Sequence, residues 1–474
     1  MLSFSSKFNL AKCNSFLNFI SGSNMGSKTK YYAYLLIIVA AYSIISKLIF
    51  DRLNTTIHTV IDEYFHIPQG ILYCNGNYTY WDPKITTLPG LYLVSMIVGT
   101  YFECSTYNLR FVNLIASAVN LLLLANIMKY VYYNERSQFK IIIQALSLSL
   151  LPPLYFFSHV YYTDTLSLTF LLIFSRLCFV NRHKMFILLF GLLSILMRQT
   201  NVVWVAMVFG HKFLDVFIKS SRVFGNQYIT DVRLGKHSLI AKDVDSSKLK
   251  RYYTILTTHL IILCTFAAFV FINGSIVVGD KSAHQATVNT PQLLYFLIFY
   301  GIFGLPYVLS KLKSTLKLLF TKKLLVLMLT LIFTAMVHFN TEVHPYLLAD
   351  NRHYTFYVWN RWYGKYDYAI YATIPAYIFL VFSLYDNLRE HNCISFLLPY
   401  TISLILGLAL QKLIEIRYFL IPYIILRLRF GRASNLVVFT ELSWYVIINC
   451  AMFYVFFTKD IYWKDFDYAQ KIIW

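Results

Sequence analysis

Apolar residues in this chain recur in blocks of about 15 to 25, the length an α-helix needs to cross roughly 30 Å of hydrocarbon. Outer-membrane barrels are built instead from alternating segments of about ten residues, a pattern not found here. Hydrophobic residues make up 58% of the chain and charged residues 14%, against roughly 25% charged in ordinary soluble domains. The expected fold class is an all-α polytopic membrane protein.

A net charge of +20 raises nucleic acid as a partner, but the bases sit between hydrophobic spans and are not interleaved with aromatics. Residues 1–30 hold Lys7, Lys12, Lys28 and Lys30 with no acid, residues 211–251 hold nine Lys or Arg against four Asp, and a third cluster is Lys311, Lys313, Lys317, Lys322 and Lys323. The positive-inside rule places all three in the cytoplasm, so no nucleic acid is expected. A first span at 31–50 then acts as an uncleaved signal-anchor and delivers the next loop to the far side. Leu88–Phe102 is short and opens with Pro89–Gly90. It is read as an interfacial helix, because a spanning reading would put Lys129, Arg136 and Lys140 on the far side. The remaining spans fall near 110–128, 140–157, 165–181, 185–197, 202–219, 253–273, 291–310, 323–340, 366–386, 394–411, 416–428 and 435–457. The expected total is about thirteen, within a range of about eleven to fifteen.

The segments this layout assigns to the far side carry the distinctive polar clusters. The first, Ile61–Gly90, reads IDEYFHIPQGILYCNGNYTYWDPKITTLPG and holds Asp62, Glu63, His66, Trp81 and Asp82. Only 22 acids occur in 474 residues, so acids gathered in one membrane-facing loop are candidate working groups. Asp62 and Glu63 have two readings, acids favoured at the positive end of a helix dipole or a general base with its neighbour. His66 lies one helical turn beyond Asp62, either packed or orienting it. The other clusters supply Asp164, Arg198, Asp280, Lys281, His284, His344, Asp350, Arg352, His353, and Arg417 beside Glu415. Arg198 either pairs with an acid such as Asp164 or meets a substrate anion, and Arg417 reads first as the ion-pair partner of Glu415. Arginine suits phosphate because its fork makes bidentate charge-assisted bonds. Sequons at Asn54, Asn77 and Asn273 map to the same side or its border and fit an ER lumen, with Asn77 expected to be unmodified inside the proposed site. Of seven scattered cysteines, only a Cys74–Cys104 bridge is worth testing.

There is no P-loop, G-x-G-x-x-G, H-E-x-x-H or G-x-S-x-G, which disfavours ATP-driven pumps, nicotinamide enzymes, zinc proteases and lipases. No His/Cys cluster has metal-ligand spacing, although Asp62, Glu63, Asp82 and Asp164 form a set of acids able in principle to hold a hard cation. A solute transporter is the main reading from a different class. It predicts ionisable groups at mid-membrane and an internal repeat, whereas the polar clusters here fall at one face.

The blocks IDEYFHIPQ, YCNG, WDPKITTLPGLY, LRFVNL, YYTDTLSL, RQTNVVW, VVGDKSAHQA, HPYLLADNRHYTFYVWNR and IEIRYFLIPY, in order over about residues 61–425, resemble the dolichyl-phosphate-glucose-dependent α-1,2-glucosyltransferases of the ER. The resemblance implies a GT-C glycosyltransferase fold with its carboxylate in the first luminal loop, Asp62 or Glu63 here. It implies a reaction adding the terminal glucose to a dolichyl-pyrophosphate-linked oligosaccharide. Another dolichyl-phosphate-sugar-dependent glycosyltransferase of the ER is the runner-up. Because the donor is a β-linked phosphate, an α-linked product implies inversion, with Asp62 as the expected base. Arg352 and His353 are expected to hold the lipid phosphate, ahead of Lys281, His284, Arg198 and Arg417, and no obligatory metal or other cofactor is expected. The domain plan is a cytoplasmic tail at 1–30 and one multi-span catalytic domain at 31–457. That domain carries a first luminal loop at 51–109 and a basic cytoplasmic loop at 219–252, and a C-terminal tail at 458–474 follows on the luminal side.

Overall fold

A computed structural model describes residues 27–474 apart from 133–134, 136, 181–182, 221–245, 282–286, 342–347, 349, 390–391, 412 and 465. His284, His344, most of the N-terminal tail and most of the basic 219–252 loop therefore lie outside the described residues. The described residues are predominantly helical. In order come α1 (Ser27–Thr56), α2 (Glu63–Cys74), α3 (Gly90–Tyr101), α4 (Thr106–Val131), α5 (Gln138–Ser149), α6 (Pro152–Phe157), α7 (Thr163–Val180), α8 (Lys184–Met197), α9 (Asn201–Ser220) and α10 (Ser246–Asn273). Then follow α11 (Pro291–Phe303), α12 (Leu305–Ser310), α13 (Leu312–Thr321), α14 (Lys323–Asn340), α15 (Tyr354–Val358), α16 (Ala369–Ala372), α17 (Ile374–Leu388), α18 (Ile394–Leu408), α19 (Leu420–Arg427) and α20 (Asn435–Thr458).

Among the described residues seven helices are long and apolar enough to cross a membrane, including α1, α4, α7, α14 and α20. Several other expected spans are broken where the sequence stops a helix. The 140–157 span divides before Pro152–Pro153, whose rings cannot continue the preceding helix. The 291–310 span divides at Gly304, and 416–428 is a 3-10 turn followed by the eight-residue α19. Helix starts obey ordinary capping chemistry: the hydroxyls of Ser105, Ser137 and Ser434 accept from the backbone N–H three residues on, opening α4, α5 and α20.

Within the apolar bundle the one fully sequestered ion pair joins α19 to α20 among the described residues. Arg427 donates from Nε and Nη2 to Glu441 at 2.7 Å each and stacks over Tyr307, so neither charge meets hydrocarbon.

The first loop has a small core of its own, built from Ile67, Ile85, Leu91, Tyr92, Leu109, Tyr161 and Met197. Helix α3 is only twelve residues long, too short to cross about 30 Å. A Cys74–Cys104 disulfide ties the end of α2 to the far end of α3, with the two Cα atoms 5.8 Å apart. The loop is thus a folded cap rather than a slack connection. Its other border is zipped to residues 278–280, where Asp280 N–H donates to the Pro83 carbonyl at 2.7 Å. Gly279 makes this possible: its φ is +68°, and a Cβ there would lie 2.5 Å from the Pro83 and Ile85 carbonyl oxygens.

The three sequons differ in what their amides do. Asn54 accepts from Arg110, and Asn273 donates to the Ser275 and Val277 carbonyls. Asn77 is exposed at the turn after α2, and its Oδ1 accepts from the backbone and hydroxyl of Thr79. Exposure makes Asn77 the most accessible of the three to modification. In cells, Asn77→Gln is expected to remove a glycosidase-sensitive mass shift that Asn54→Gln and Asn273→Gln leave in place.

Candidate active site

Neighbouring residues at a helix start point roughly 100° apart, so Asp62 and Glu63 cannot share an environment. Glu63 turns inward. Its Oε1 accepts from Arg110 Nε at 2.9 Å and Tyr161 N–H at 2.6 Å, and its Oε2 from Arg110 Nη2 at 2.6 Å and Val60 N–H at 2.9 Å. The pair is sealed, Glu63 at 0% and Arg110 at 1% exposure, and Arg110 spends further N–H groups on Asn54 and the His58 carbonyl. Two bonds per oxygen use the carboxylate's acceptor capacity. Glu63 is an anchor for the loop, joining it to α4 and to the start of α7.

Asp62 turns the other way. Its side chain is 33% exposed, with Oδ2 accepting from Arg417 Nη2 at 2.7 Å. Among the described residues nothing hydrogen-bonds Oδ1. Its backbone is fixed on both sides: Asp62 N–H donates to the Tyr162 hydroxyl at 2.9 Å, which donates onward to the Val60 carbonyl at 3.1 Å. Immediately before it, Ile61 has φ +36°. A β-branched side chain rarely occupies that region, at a cost of about 1–3 kcal/mol, so the surrounding bonds must hold the turn.

Arg417 is the hub of the site. It pairs with Asp62, with Glu415 through Nε, and with Asp164 Oδ2 at 3.9 Å, while Arg198 pairs with Asp164 Oδ1. Three carboxylates thus face two guanidiniums and leave one negative charge. The guanidiniums also stack, Arg417 over Tyr162 and Arg198 over Tyr418. Arg198 has the acid partner its sequence position suggested, and Arg417 has Glu415 and two more.

Burial disfavours the charged form of Asp62, but Arg417, His66 and His353 outweigh it and hold the carboxyl below its usual range. Asp350 is also held low: burial raises it, and the Arg352 bond and the nearby His353 lower it further. Ionised, both stabilise the fold above the unfolded carboxylate value of about 4, and that contribution is lost as pH falls through their lower folded values. His66 is buried, and burial lowers it despite the pull of Asp62. Its Nδ1 lies 2.5 Å from the Tyr92 hydroxyl. Below about pH 6.5 the unfolded chain binds a proton that folded His66 resists, so this group costs stability in acid.

The 350–353 segment reaches the same region. Arg352 grips Asp350 through Nε at 2.8 Å and Nη2 at 2.7 Å, with its third nitrogen 3.3 Å from Gln470 Oε1. His353 is 31% exposed, with Nε2 3.9 Å from Asp350, and it contributes to the field at Asp62. Asp82 accepts from Lys84 N–H and closes a turn, while Trp81 donates to the Ile85 carbonyl, so both shape the cap. Lys281 donates to the Asn273 carbonyl and makes no described contact with the Asp62 cluster.

Sequence reasoning missed Arg110 and Tyr162. Arg110 carried a signal, an arginine four residues into an apolar helix, and Tyr162 lies in the polar run Tyr161–Asp164, of which only Asp164 was taken as a site residue.

These elements define a class: a polytopic helical membrane protein with a partly exposed carboxylate set among guanidiniums on a disulfide-tied cap. Residues 56–428 match the DIE2/ALG10 family, and the chain belongs to it. Relatives named Dol-P-Glc:Glc(2)Man(9)GlcNAc(2)-PP-Dol alpha-1,2-glucosyltransferase include one from Drosophila melanogaster, 42% identical over 93% of this chain and 99% of the relative. One from Homo sapiens is 34% identical over 91% and 96%, and one from Arabidopsis thaliana 30% identical over 87% and 94%. No solved structure matches the chain.

Proposed function

We propose that the protein is an inverting α-1,2-glucosyltransferase of the ER membrane. It moves glucose from dolichyl-phosphate glucose to the diglucosylated dolichyl-pyrophosphate-linked oligosaccharide. The reaction is supported by relatives of that name aligned over nearly their whole length. The single structural observation that carries the mechanism is the division of labour between Asp62 and Glu63. Asp62 takes the proton from the acceptor hydroxyl as that oxygen bonds to the anomeric carbon. The bond from that carbon to the phosphate oxygen breaks on the opposite face, and its electron pair leaves with the lipid phosphate.

His353, with Nε2 turned to the site, is our assignment for the group that meets that phosphate, while Arg417, bonded to Asp62, Glu415 and Asp164, holds the base. Arg352, expected in this role, is already committed to Asp350 and Gln470 and supports its neighbour instead. Protein cations neutralise a monophosphate leaving group, so the step needs no metal. A cavity of about 400 Å³ between α9 and α18, walled by Val202, Val203, Met207, Pro399, Ile402 and Leu406, is apolar and suits the polyprenyl chain. Exposed Tyr64, Tyr78 and Tyr80 offer ring faces to sugars. The Cys74–Cys104 bridge supports a luminal placement of the cap, since disulfides persist in oxidising compartments. A GT-C fold of about thirteen spans with a cytoplasmic N-terminus completes the reading.

Purified protein supplied with dolichyl-phosphate glucose and EDTA is expected to glucosylate acceptors bearing two glucoses, and to leave those with none or one unchanged. Transfer to the shorter acceptors at equal rate, or no transfer by intact protein, would sink the assignment.

A further inference from the structure

Residues 459–474 lie beyond the stretch matched to the family, and they fold back as a strap over the site. Ile461 and Gln470 exchange backbone hydrogen bonds at 2.9 and 2.7 Å, making a hairpin whose arms and tip touch two different parts of the site. Both arms dock on 350–354. Ile473 N–H donates to the Arg352 carbonyl at 2.7 Å, and Tyr354 N–H to the Ile473 carbonyl at 3.1 Å. Arg352 lies under the Trp463 ring at 4.1 Å, and Trp463 Nε1 donates to Asn351 at 2.7 Å. The hairpin also reaches the base-bearing loop, where the hydroxyls of Tyr468 and Thr59 bond and Phe466 packs edge-on against Tyr64 at 5.7 Å.

His353 Nδ1 lies 3.0 Å from the Trp474 carbonyl. A carbonyl only accepts, so Nδ1 carries the proton and the ring's orientation is fixed, leaving Nε2 toward Asp350 and the site. We propose that this strap is a built part of the site. Trp463, Tyr468 and Trp474 are positioning residues that hold His353 and the Asp62 loop at one spacing, so that donor phosphate and acceptor base engage the same sugar. The proposal rests on the reading of His353 as a phosphate contact.

Its test measures donor and acceptor KM and thermal unfolding of the full chain with dolichyl-phosphate glucose. Trp463→Ala is expected to raise donor KM about tenfold, the size of a lost cation–π contact and hydrogen bond, with acceptor KM and the unfolding temperature little changed. Trp463→Phe keeps a ring over Arg352 and is expected to recover most of the loss. Tyr468→Phe removes a single oxygen, folds regardless, and is expected to lower kcat with donor KM held. His353→Ala separates the two ideas. If it leaves donor KM unchanged, the phosphate reading and the strap both fall. If it raises donor KM while Trp463→Ala and Tyr468→Phe behave as wild type, the strap alone falls. A parallel loss of donor and acceptor binding with folding in Trp463→Ala, together with unaltered kinetics in Tyr468→Phe, would reduce the strap to a stabilising element and overturn the proposal.

Discussion

Replacing Asp62 with Asn is expected to lower glucose transfer by about 10²–10⁴, the range general-base catalysis supplies, while the protein still folds and binds its donor. Asparagine fills the same space and accepts hydrogen bonds, but it cannot take a proton from a hydroxyl. Arg417 keeps Glu415 and Asp164, so the substitution does not strand the guanidinium. The pH profile gives an independent reading. Because Asp62 is held below the usual carboxylate range, wild-type transfer is expected to fall only in strong acid. Arg417→Met removes the main cation opposing its protonation and should move that acid limb upward. A near-wild-type rate for Asp62→Asn would remove it from the base role.

Glu63→Gln is expected to act through stability. The amide brings two N–H groups to a position already supplied with four donors, and it leaves Arg110 charged and sealed from water. Breaking a buried pair by removing one partner costs about 3–5 kcal/mol, which should appear as a lower unfolding temperature and poor recovery from membranes. Arg110→Met alone should do comparable damage by leaving Glu63 without its cation. The double replacement, Glu63→Gln with Arg110→Met, is expected to be less harmful than the sum of the two, since neither charge is then stranded. If folded Glu63→Gln protein is as stable as wild type yet inactive, the acid is doing chemistry and its assignment as an anchor fails.

The sequence made the general character of the fold legible because lipid imposes long apolar runs. Span ends were harder to read, since Pro152–Pro153 and Gly304 break helices that hydropathy alone runs together. The acids of the first loop were visible as a rare cluster. Which of them faces substrate was not, because that depends on Arg110 and Arg417, residues 47 and 355 positions away. Arg352 looked like a phosphate ligand from its type, and only its contacts with Asp350, Gln470 and Trp463 assign it to support. Nothing in the composition of the tail announced that it would reach the site.

The separations along the chain also set an order of assembly. Glu63 needs only Arg110 and Tyr161, 47 and 98 residues on, so its anchor can close once the first helices are in the membrane. Asp62 must wait for Arg417, 355 residues on. Since chains begin to fold from their N-terminal portions during synthesis, the cap is shaped early around a carboxylate that stays unneutralised for most of translation. A nascent chain stalled before Arg417 would therefore hold a finished cap and an incomplete centre, able to occupy the membrane but not to transfer sugar.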